Sequence, residues 1–422
     1  MCGIVGYVGK KQAVPILMDG LSKLEYRGYD SAGVAVMQDG EIKIKKSKGR
    51  LAVLQEKLDS GEPLSGVMGI GHTRWATHGE PSDTNSHPHL SRSGRFAVVH
   101  NGIIENYMKL RQMLINKGFE FISETDTEVI AQLVEYYYNG DIVETLTKVV
   151  ERVEGSYALG ILCADNPDSF VAVRKESPLI VGLGEGENFI ASDVPAILAH
   201  TRDVYFLEND EIVLLDAENV KVYNLDGEEI KKESYHVEWD ISAAEKGGYE
   251  HFMFKEIMEQ PRVIRDTVQP RIRDGRIVLD DISLTAEYIK GINKIYIVAC
   301  GSAYHVGVVG KYVIEAMTRI PVEVTVASEF RYMNPIVDDK TLTVVISQSG
   351  ETADTIAAMR EAKRLGSRTF AIVNAVGSAI AREADDVLYT WAGPEISVAT
   401  TKAYSTQVTA MYLLSLYIAQ EL

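Results

Sequence analysis

The sequence predicts an α/β and α+β protein, a layered half followed by a doubly wound parallel sheet. Three observations predict it. Over residues 1–215, short strands come in consecutive runs with helices set between the runs, as antiparallel sheets covered by helices require. From residue 285, strands and helices alternate strictly, as a parallel sheet with crossover helices requires. A chain of 422 residues is long enough for two or three cores.

The elements follow in order. A largely apolar strand is predicted over Ile4–Val8, and helical spacing of apolar residues appears at Ala13–Leu24. Strands are predicted at Gly33–Met37, Ile42–Lys46, Val67–His72 and Phe96–Asn101. Helices are predicted at Tyr107–Lys117 and Asp126–Tyr138, then strands at Ala158–Cys163, Phe170–Arg174 and Val204–Leu207. Residues 216–285 are more charged, with Asp226-Gly227-Glu228-Glu229, Trp239-Asp240 and Lys246-Gly247-Gly248-Tyr249. They read as a connecting segment with one helix near Phe252–Glu259, stopped by Pro261. Beyond it come a strand at Lys294–Ala299, a helix to about Thr318 and strands at Val322–Ala327 and Leu342–Ser347. A helix at Ala353–Leu365, strands at Arg368–Asn374 and Asp386–Thr390 and an apolar helix at Lys402–Ala419 complete the series. The expected division is 2–217, a linker over 218–284, and 285–422.

Composition narrows the function. Hydrophobic residues at 46% and charged residues at 24% are ordinary for a soluble globular protein. A net charge of −17 disfavours nucleic acid or an anionic membrane as partner, yet allows a local pocket for a phosphorylated small molecule. Cys2, Cys163 and Cys300 lie far apart with no paired spacing, which fits a reducing compartment without a disulfide framework. Lys10, Lys11 and Gln12 interrupt the opening segment, so it does not read as a signal peptide. No apolar run reaches transmembrane length, and a cytoplasmic enzyme is expected.

The most reactive position is Cys2. A small second residue favours removal of Met1, which unites a thiol and a free α-amine on one residue. A thiol of pKa about 8.5 and an amine of about 7.7–8.0 exchange a proton near neutral pH, so the nucleophile brings its own base. By position alone, Cys2 reads equally as a small apolar residue of the first strand. Gly71-His72-Thr73-Arg74-Trp75-Ala76-Thr77-His78-Gly79 concentrates polar groups, and its Arg74 suits a bidentate carboxylate clamp. His72, His78, His87 and His89 invite a metal, but their spacing matches no ligand pattern and none is expected. Asn101-Gly102 ends a strand. An Asn amide and a Gly N–H there can face an oxyanion, although Asn-Gly is also the commonest tight-turn dipeptide. Ser123-Glu124-Thr125-Asp126-Thr127-Glu128 opens a helix, with Ser123 or Thr125 as candidate caps and Asp126 suited to an ammonium group. Arg27-Gly28-Tyr29-Asp30-Ser31 is a similar loop, with Arg27 as a lid residue.

In the second half, Ser347-Gln348-Ser349-Gly350-Glu351-Thr352 joins a parallel strand to a helix. Hydroxyls and backbone N–H groups at such a place bind anions without lysine. Cys300-Gly301-Ser302 and Ser397-Val398-Ala399-Thr400-Thr401-Lys402 repeat the arrangement, and three such turns point to a sugar phosphate. Helix capping accounts for each turn taken singly. No Gly-x4-Gly-Lys phosphate loop is present, which disfavours an ATP-dependent enzyme.

Together these segments resemble the glutamine–fructose-6-phosphate aminotransferase (isomerizing), or glucosamine-6-phosphate synthase, family along essentially the whole chain. Cys2-Gly3-Ile4-Val5-Gly6, the Arg27 loop, His72–Gly79, His100-Asn101-Gly102 and Thr125-Asp126 resemble a class II glutamine amidotransferase domain. Residues 347–352 resemble the signature of a sugar isomerase (SIS) domain. Amidophosphoribosyltransferase and asparagine synthetase share the first domain type but carry no SIS domain. The resemblance implies an Ntn-hydrolase four-layer α/β/β/α sandwich, no cofactor, L-glutamine and fructose-6-phosphate as substrates, and a homodimer. It implies Cys2 as nucleophile and Asn101 and Gly102 as oxyanion hole. Glutamine would be held by Arg74 and Asp126 and lined by Thr77, His78 and Gly102, with Trp75 gating ammonia and Arg27 steadying the lid. Ser302, Ser347, Gln348, Ser349 and Thr352 would hold the sugar phosphate, with Cys300, Gly301, Val398 and Thr400 lining its pocket. The family also carries a second SIS domain and a tail lysine, and this sequence stops at Leu422. Glutaminase chemistry with little synthase activity is therefore expected, as is one weaker phosphate contact at Ala303, where a hydroxyl is usual. Two other readings are a related aminotransferase for another phosphosugar and a non-catalytic sugar-phosphate sensor. The Cys2, Arg74 and Asn101 set argues against the sensor.

Overall fold

A computed structural model describes residues 2–25, 28–76, 78–237, 247–280 and 282–422. The chain forms two compact units, Met1–Ile241 and Ser242–Leu422.

The first unit is built on two antiparallel sheets. In the first sheet, Gly3–Val8 lies between Asn188–Ala191 and Met68–Arg74, and the hairpin of Ser31–Gln38 and Glu41–Lys48 continues beyond Met68–Arg74. In the second, Phe96–Ile104 pairs with Gly155–Cys163, which pairs in turn with Ser169–Lys175. Strict alternation along each strand makes three apolar layers possible. Ile4, Val8, Ala35 and Ile70 of one sheet meet Ala97, Val99, Ala158 and Leu162 of the other. The outward residues Val5, Tyr7, Val34 and Val36 pack under the helices Ala13–Ser22 and Leu51–Ser60. Val98, Leu159 and Ile161 pack under Tyr107–Asn116, Thr127–Tyr137 and Ile142–Val150. The result is a helix–sheet–sheet–helix sandwich. Val220–Tyr223, Glu229–Ile230 and Tyr235–His236 extend these same sheets.

The second unit holds a five-stranded parallel sheet in the order Val322–Val326, Lys294–Ala299, Thr341–Ser347, Arg368–Val373, Asp386–Tyr389. Both faces are covered. Ile295, Ile297, Leu342 and Val344 face the helices Ser302–Thr318 and Lys402–Glu421. Tyr296, Val298, Val345 and Ala371 face Ala353–Arg364. The connections leave Lys294–Ala299 and Thr341–Ser347 toward opposite faces, which opens a crevice at their carboxyl ends.

One expectation is corrected. Pro261 does not stop its helix, which runs from Phe252 to Val268 with the proline inside. Proline removes the N–H that would bond the carbonyl of Ile257. Gln260 Nε2 donates to that carbonyl instead, at 3.1 Å. Val263 and Thr267, both buried, hold the second half of the helix in place.

Candidate functional site

The two sheets of the first unit meet beside Cys2. Its sulfur accepts a hydrogen bond from the Trp75 N–H at 3.2 Å and donates to the Trp75 carbonyl at 3.5 Å. Burial pushes the thiol above its ordinary pKa, so the free thiol is the resting form and needs a base when it attacks. Asn101 reaches across from the second sheet, and its Nδ2 donates to the Cys2 carbonyl at 3.0 Å. Gly102 follows with φ +123°, and a Cβ there would stand 2.0 Å from the Ser156 carbonyl oxygen. Only glycine fits this combination of dihedral angle and close backbone approach.

Arg74 ends the strand Met68–Arg74 and is only 3% exposed. Nη2 donates to the carbonyls of His78 and Gly79, while Nη1 is buried with no partner among the described residues. A buried guanidinium donor left unpaired is costly, and an incoming carboxylate would relieve that cost. The charges of Cys2, Asp30 and Asp126 all act on Arg74 against the desolvation that lowers its pKa. Asp126 is 4% exposed and stands at the N-cap of Thr127–Tyr137 without capping it. Its Oδ2 instead accepts the Ile104 N–H at 2.9 Å. Thr125 Oγ1 takes the Glu128 N–H at 3.3 Å, so of the two candidate caps Thr125 acts on this helix. Trp75 is 42% exposed and meets the edge of Tyr29 at 5.4 Å. His78 packs its ring against Tyr107 at 5.3 Å. Arg27 and Thr77 lie outside the described residues.

Two residues given no role at the glutamine site by the sequence prove central. Asp30 Oδ2 accepts the Ala76 N–H at 2.5 Å, and its own N–H donates to the Arg74 carbonyl at 3.0 Å. The Arg74–Ala76 backbone beneath the thiol is thereby fixed. His72 bonds both Asn101 and the His100 carbonyl. No local pattern signals either role, because the partners lie dozens of residues away.

His72 also belongs to a buried stack. Its ring lies 4.1 Å from that of His87, which meets His89 at 4.9 Å. Burial lowers the pKa of His72, His87, His89 and His100, His72 to about 3. Among the described residues, no group of three or more His, Cys, Asp or Glu side chains is arranged for a metal ion. In the unfolded chain these histidines titrate near 6.5. As pH falls through that value the unfolded state takes up protons that the folded state refuses. Their stabilising contribution is therefore complete above about pH 6.5 and is lost progressively toward pH 3, at up to about 1.4 kcal/mol per pH unit for each ring. Thermal melts from pH 7.5 to 4.5 are expected to show a Tm that drops steeply once pH passes below about 6.5. A flat Tm across that range would remove the buried neutral stack from the account.

In the second unit, Ser347 ends a central strand and is buried. Its Oγ accepts the Gly350 N–H and bonds Thr352 Oγ1, both at 3.0 Å, while Ser349 Oγ accepts the Glu351 N–H at 3.2 Å. Gln348 receives the Asn374 N–H on its carbonyl at 3.1 Å. The neighbouring turn is joined to this loop by Thr355 Oγ1, which lies 3.8 Å from Cys300 Sγ. Gly301 has φ +58° and precedes exposed Ser302, the first residue of its helix. Ala303 is buried in the apolar cluster and adds no hydroxyl. The third turn differs. Glu395 accepts from Thr400 Oγ1 at 2.9 Å, the Thr401 N–H at 2.9 Å and the Ala403 N–H at 3.0 Å. The anion capacity at that helix end is taken by a carboxylate of the chain itself. Buried Glu256 accepts the Ile396 and Ser397 N–H groups at 2.6 and 3.1 Å, which ties the loop to the helix Phe252–Val268. Val398 is exposed.

Known families match both units. The glutamine amidotransferase domain family matches residues 72–199, and the SIS domain family matches residues 288–417. The glutamine–fructose-6-phosphate aminotransferase (isomerizing) of Caldanaerobacter subterraneus subsp. tengcongensis is 67% identical over 99% of this chain and 68% of its own length. The chain belongs to the glutamine–fructose-6-phosphate aminotransferase (isomerizing) family. The family member of Clostridium tetani is 64% identical over the full chain and 69% of its own length. Among solved structures, the C-terminal domain of the glucosamine-fructose-6-phosphate aminotransferase from Francisella tularensis is 42% identical over 42% of this chain and 50% of that one, with a TM-score of 0.40. No helix among the described residues is long and apolar enough to cross a membrane.

Proposed function

We propose that this chain hydrolyses L-glutamine at Cys2, the ammonia-releasing half of the conversion of fructose-6-phosphate to glucosamine-6-phosphate. One observation carries the reading: a thiol, an amide donor and an unpaired buried guanidinium Nη1 converge with Asp126. Arg74 binds the glutamine α-carboxylate and Asp126 its α-ammonium, which presents the side-chain amide carbon to Cys2 Sγ. The thiol proton passes to the Cys2 α-amine once Met1 is removed, and the sulfur–carbon bond forms as the carbonyl electrons move to oxygen. Asn101 Nδ2 and the Gly102 N–H stabilise that oxyanion. The amine returns its proton to the leaving nitrogen, ammonia departs, and water cleaves the γ-glutamyl thioester. Thr77 and His78 line the pocket, Arg27 steadies its lid and Trp75 gates the departing ammonia.

In the second unit, Ser302, Ser347, Gln348, Ser349 and Thr352 hold the sugar phosphate through hydroxyls and N–H groups at helix starts. Cys300, Gly301, Val398 and Thr400 line the pocket around it. We expect the protein to be cytoplasmic and homodimeric, the latter measurable by sedimentation.

Glutamate release measured with and without fructose-6-phosphate tests the assignment. Hydrolysis is expected in both cases and is stimulated by the sugar. Absence of hydrolysis under both conditions would dismiss the reading, and a rate indifferent to the sugar would dismiss communication between the two sites.

A further inference from the structure

His72 lies on the strand Met68–Arg74, two residues before Arg74, and is wholly buried. Its Nε2 is 2.9 Å from the His100 carbonyl oxygen and 3.0 Å from Asn101 Oδ1. A carbonyl oxygen only accepts, so Nε2 carries the hydrogen. The amide oxygen of Asn101 therefore faces His72, and its NH2 faces the Cys2 carbonyl, a second pure acceptor. Turning the amide over would set NH2 against N–H on one side and oxygen against oxygen on the other. An Asn amide in isolation has no fixed sense; here both ends are keyed.

We infer that His72 is a positioning residue for glutamine hydrolysis, the fixed Nε2–H donor that locks the Asn101 amide with its NH2 toward the oxyanion forming at Cys2. This rests on the assignment of Cys2 and Asn101 above. Two further observations agree. The Nδ1 atom of His72 is buried without a partner, so the ring has no route along which to relay a proton. Stacking against His87 at an interplanar angle of 24° fixes the ring plane. Burial keeps the ring neutral at any working pH.

The role separates from simple support by kinetics on the full chain. His72→Leu is expected to lower kcat for glutamine hydrolysis about 100-fold, the usual loss for one oxyanion donor, and to leave KM within about threefold. His72→Gln, which keeps an N–H donor, is expected to recover most of that loss. In an Asn101→Ala background, His72→Leu should add less than about twofold, because the group it positions is gone. Alkylation of Cys2 by iodoacetamide develops no carbonyl oxyanion and should proceed at the parent rate in His72→Leu. Equal losses in both backgrounds, a loss confined to KM, or slowed alkylation would each overturn the proposal. Nitrogen NMR of the parent protein needs no variant: an Nδ1–H tautomer at His72 would overturn it directly. Glutamine hydrolysis by a Cys2→Ala protein would instead sink the site assignment and not the tautomer.

Discussion

Cys2→Ala is expected to lower glutamine hydrolysis by roughly 10⁴-fold or more while leaving glutamine affinity within a few-fold of the parent. The asymmetry follows from the division of labour around the site. Arg74 and Asp126 are held independently of the sulfur, by the His78 and Gly79 carbonyls and by the Ile104 N–H. Removing one small atom group leaves that clamp in place. What would be lost is the covalent route, because the proposed oxyanion donors Asn101 and Gly102 act only if some nucleophile creates the oxyanion. Glutamate release and calorimetric binding of glutamine measure the two effects separately. Retained hydrolysis would transfer the nucleophile's role elsewhere, and lost binding would show that the thiol shapes the pocket. Mass analysis of the N-terminus complements this test, since the intramolecular base exists only after Met1 is cleaved.

The second large effect is structural. Gly102→Ala combines two penalties at one residue: φ of +123°, which side chains rarely adopt, and a Cβ that would sit 2.0 Å from the Ser156 carbonyl oxygen. The clashing atom is backbone of the paired strand, where Gly102 faces Tyr157 in register, so it cannot yield as a flexible side chain would. Strain of this kind costs about 1–3 kcal/mol, and forced movement of the paired strand adds a similar amount. Taking about 3 kcal/mol in a unit of this size, Tm is expected to fall by roughly 6–12 °C. Differential scanning calorimetry would show it, and an unchanged melt would mean that the strand pair is free to shift at the oxyanion hole. On the proposed assignment activity should fall along with stability, because the displaced N–H is the proposed second oxyanion donor.

Much of this arrangement is legible in the sequence, for identifiable reasons. The parallel sheet announces itself because four of its strands are five to seven residues long and the full helices Ser302–Thr318 and Ala353–Arg364 alternate with them. The short strands His89–Leu90, Ile180–Leu183 and Asn188–Ala191 are harder to read, since two to four residues are too few for a period to register. Pro261 misleads because local chemistry favours a stop, while the Gln260 side chain and buried Val263 and Thr267 favour continuation. Tertiary packing wins there, as it commonly does over local preference. At the candidate site, Cys2, Arg74, Asn101 and Asp126 stand out because each has a residue type suited to one task. Asp30 and His72 do not, because their tasks exist only between strands distant in sequence.

Glu395 bears on ligand choice. Asn374 donates its backbone N–H to the Gln348 carbonyl at 3.1 Å and its side-chain Nδ2 to the Gly393 carbonyl at 2.7 Å, so the phosphate turn and the Glu395 loop are anchored to one residue. One loop is built from the hydroxyls of Ser347, Ser349 and Thr352, while the other already carries a carboxylate locked onto its helix start. On the proposed assignment, a monophosphorylated sugar would meet donors at the Ser347–Thr352 turn, whereas a second phosphate reaching the Glu395 loop would meet a fixed negative group.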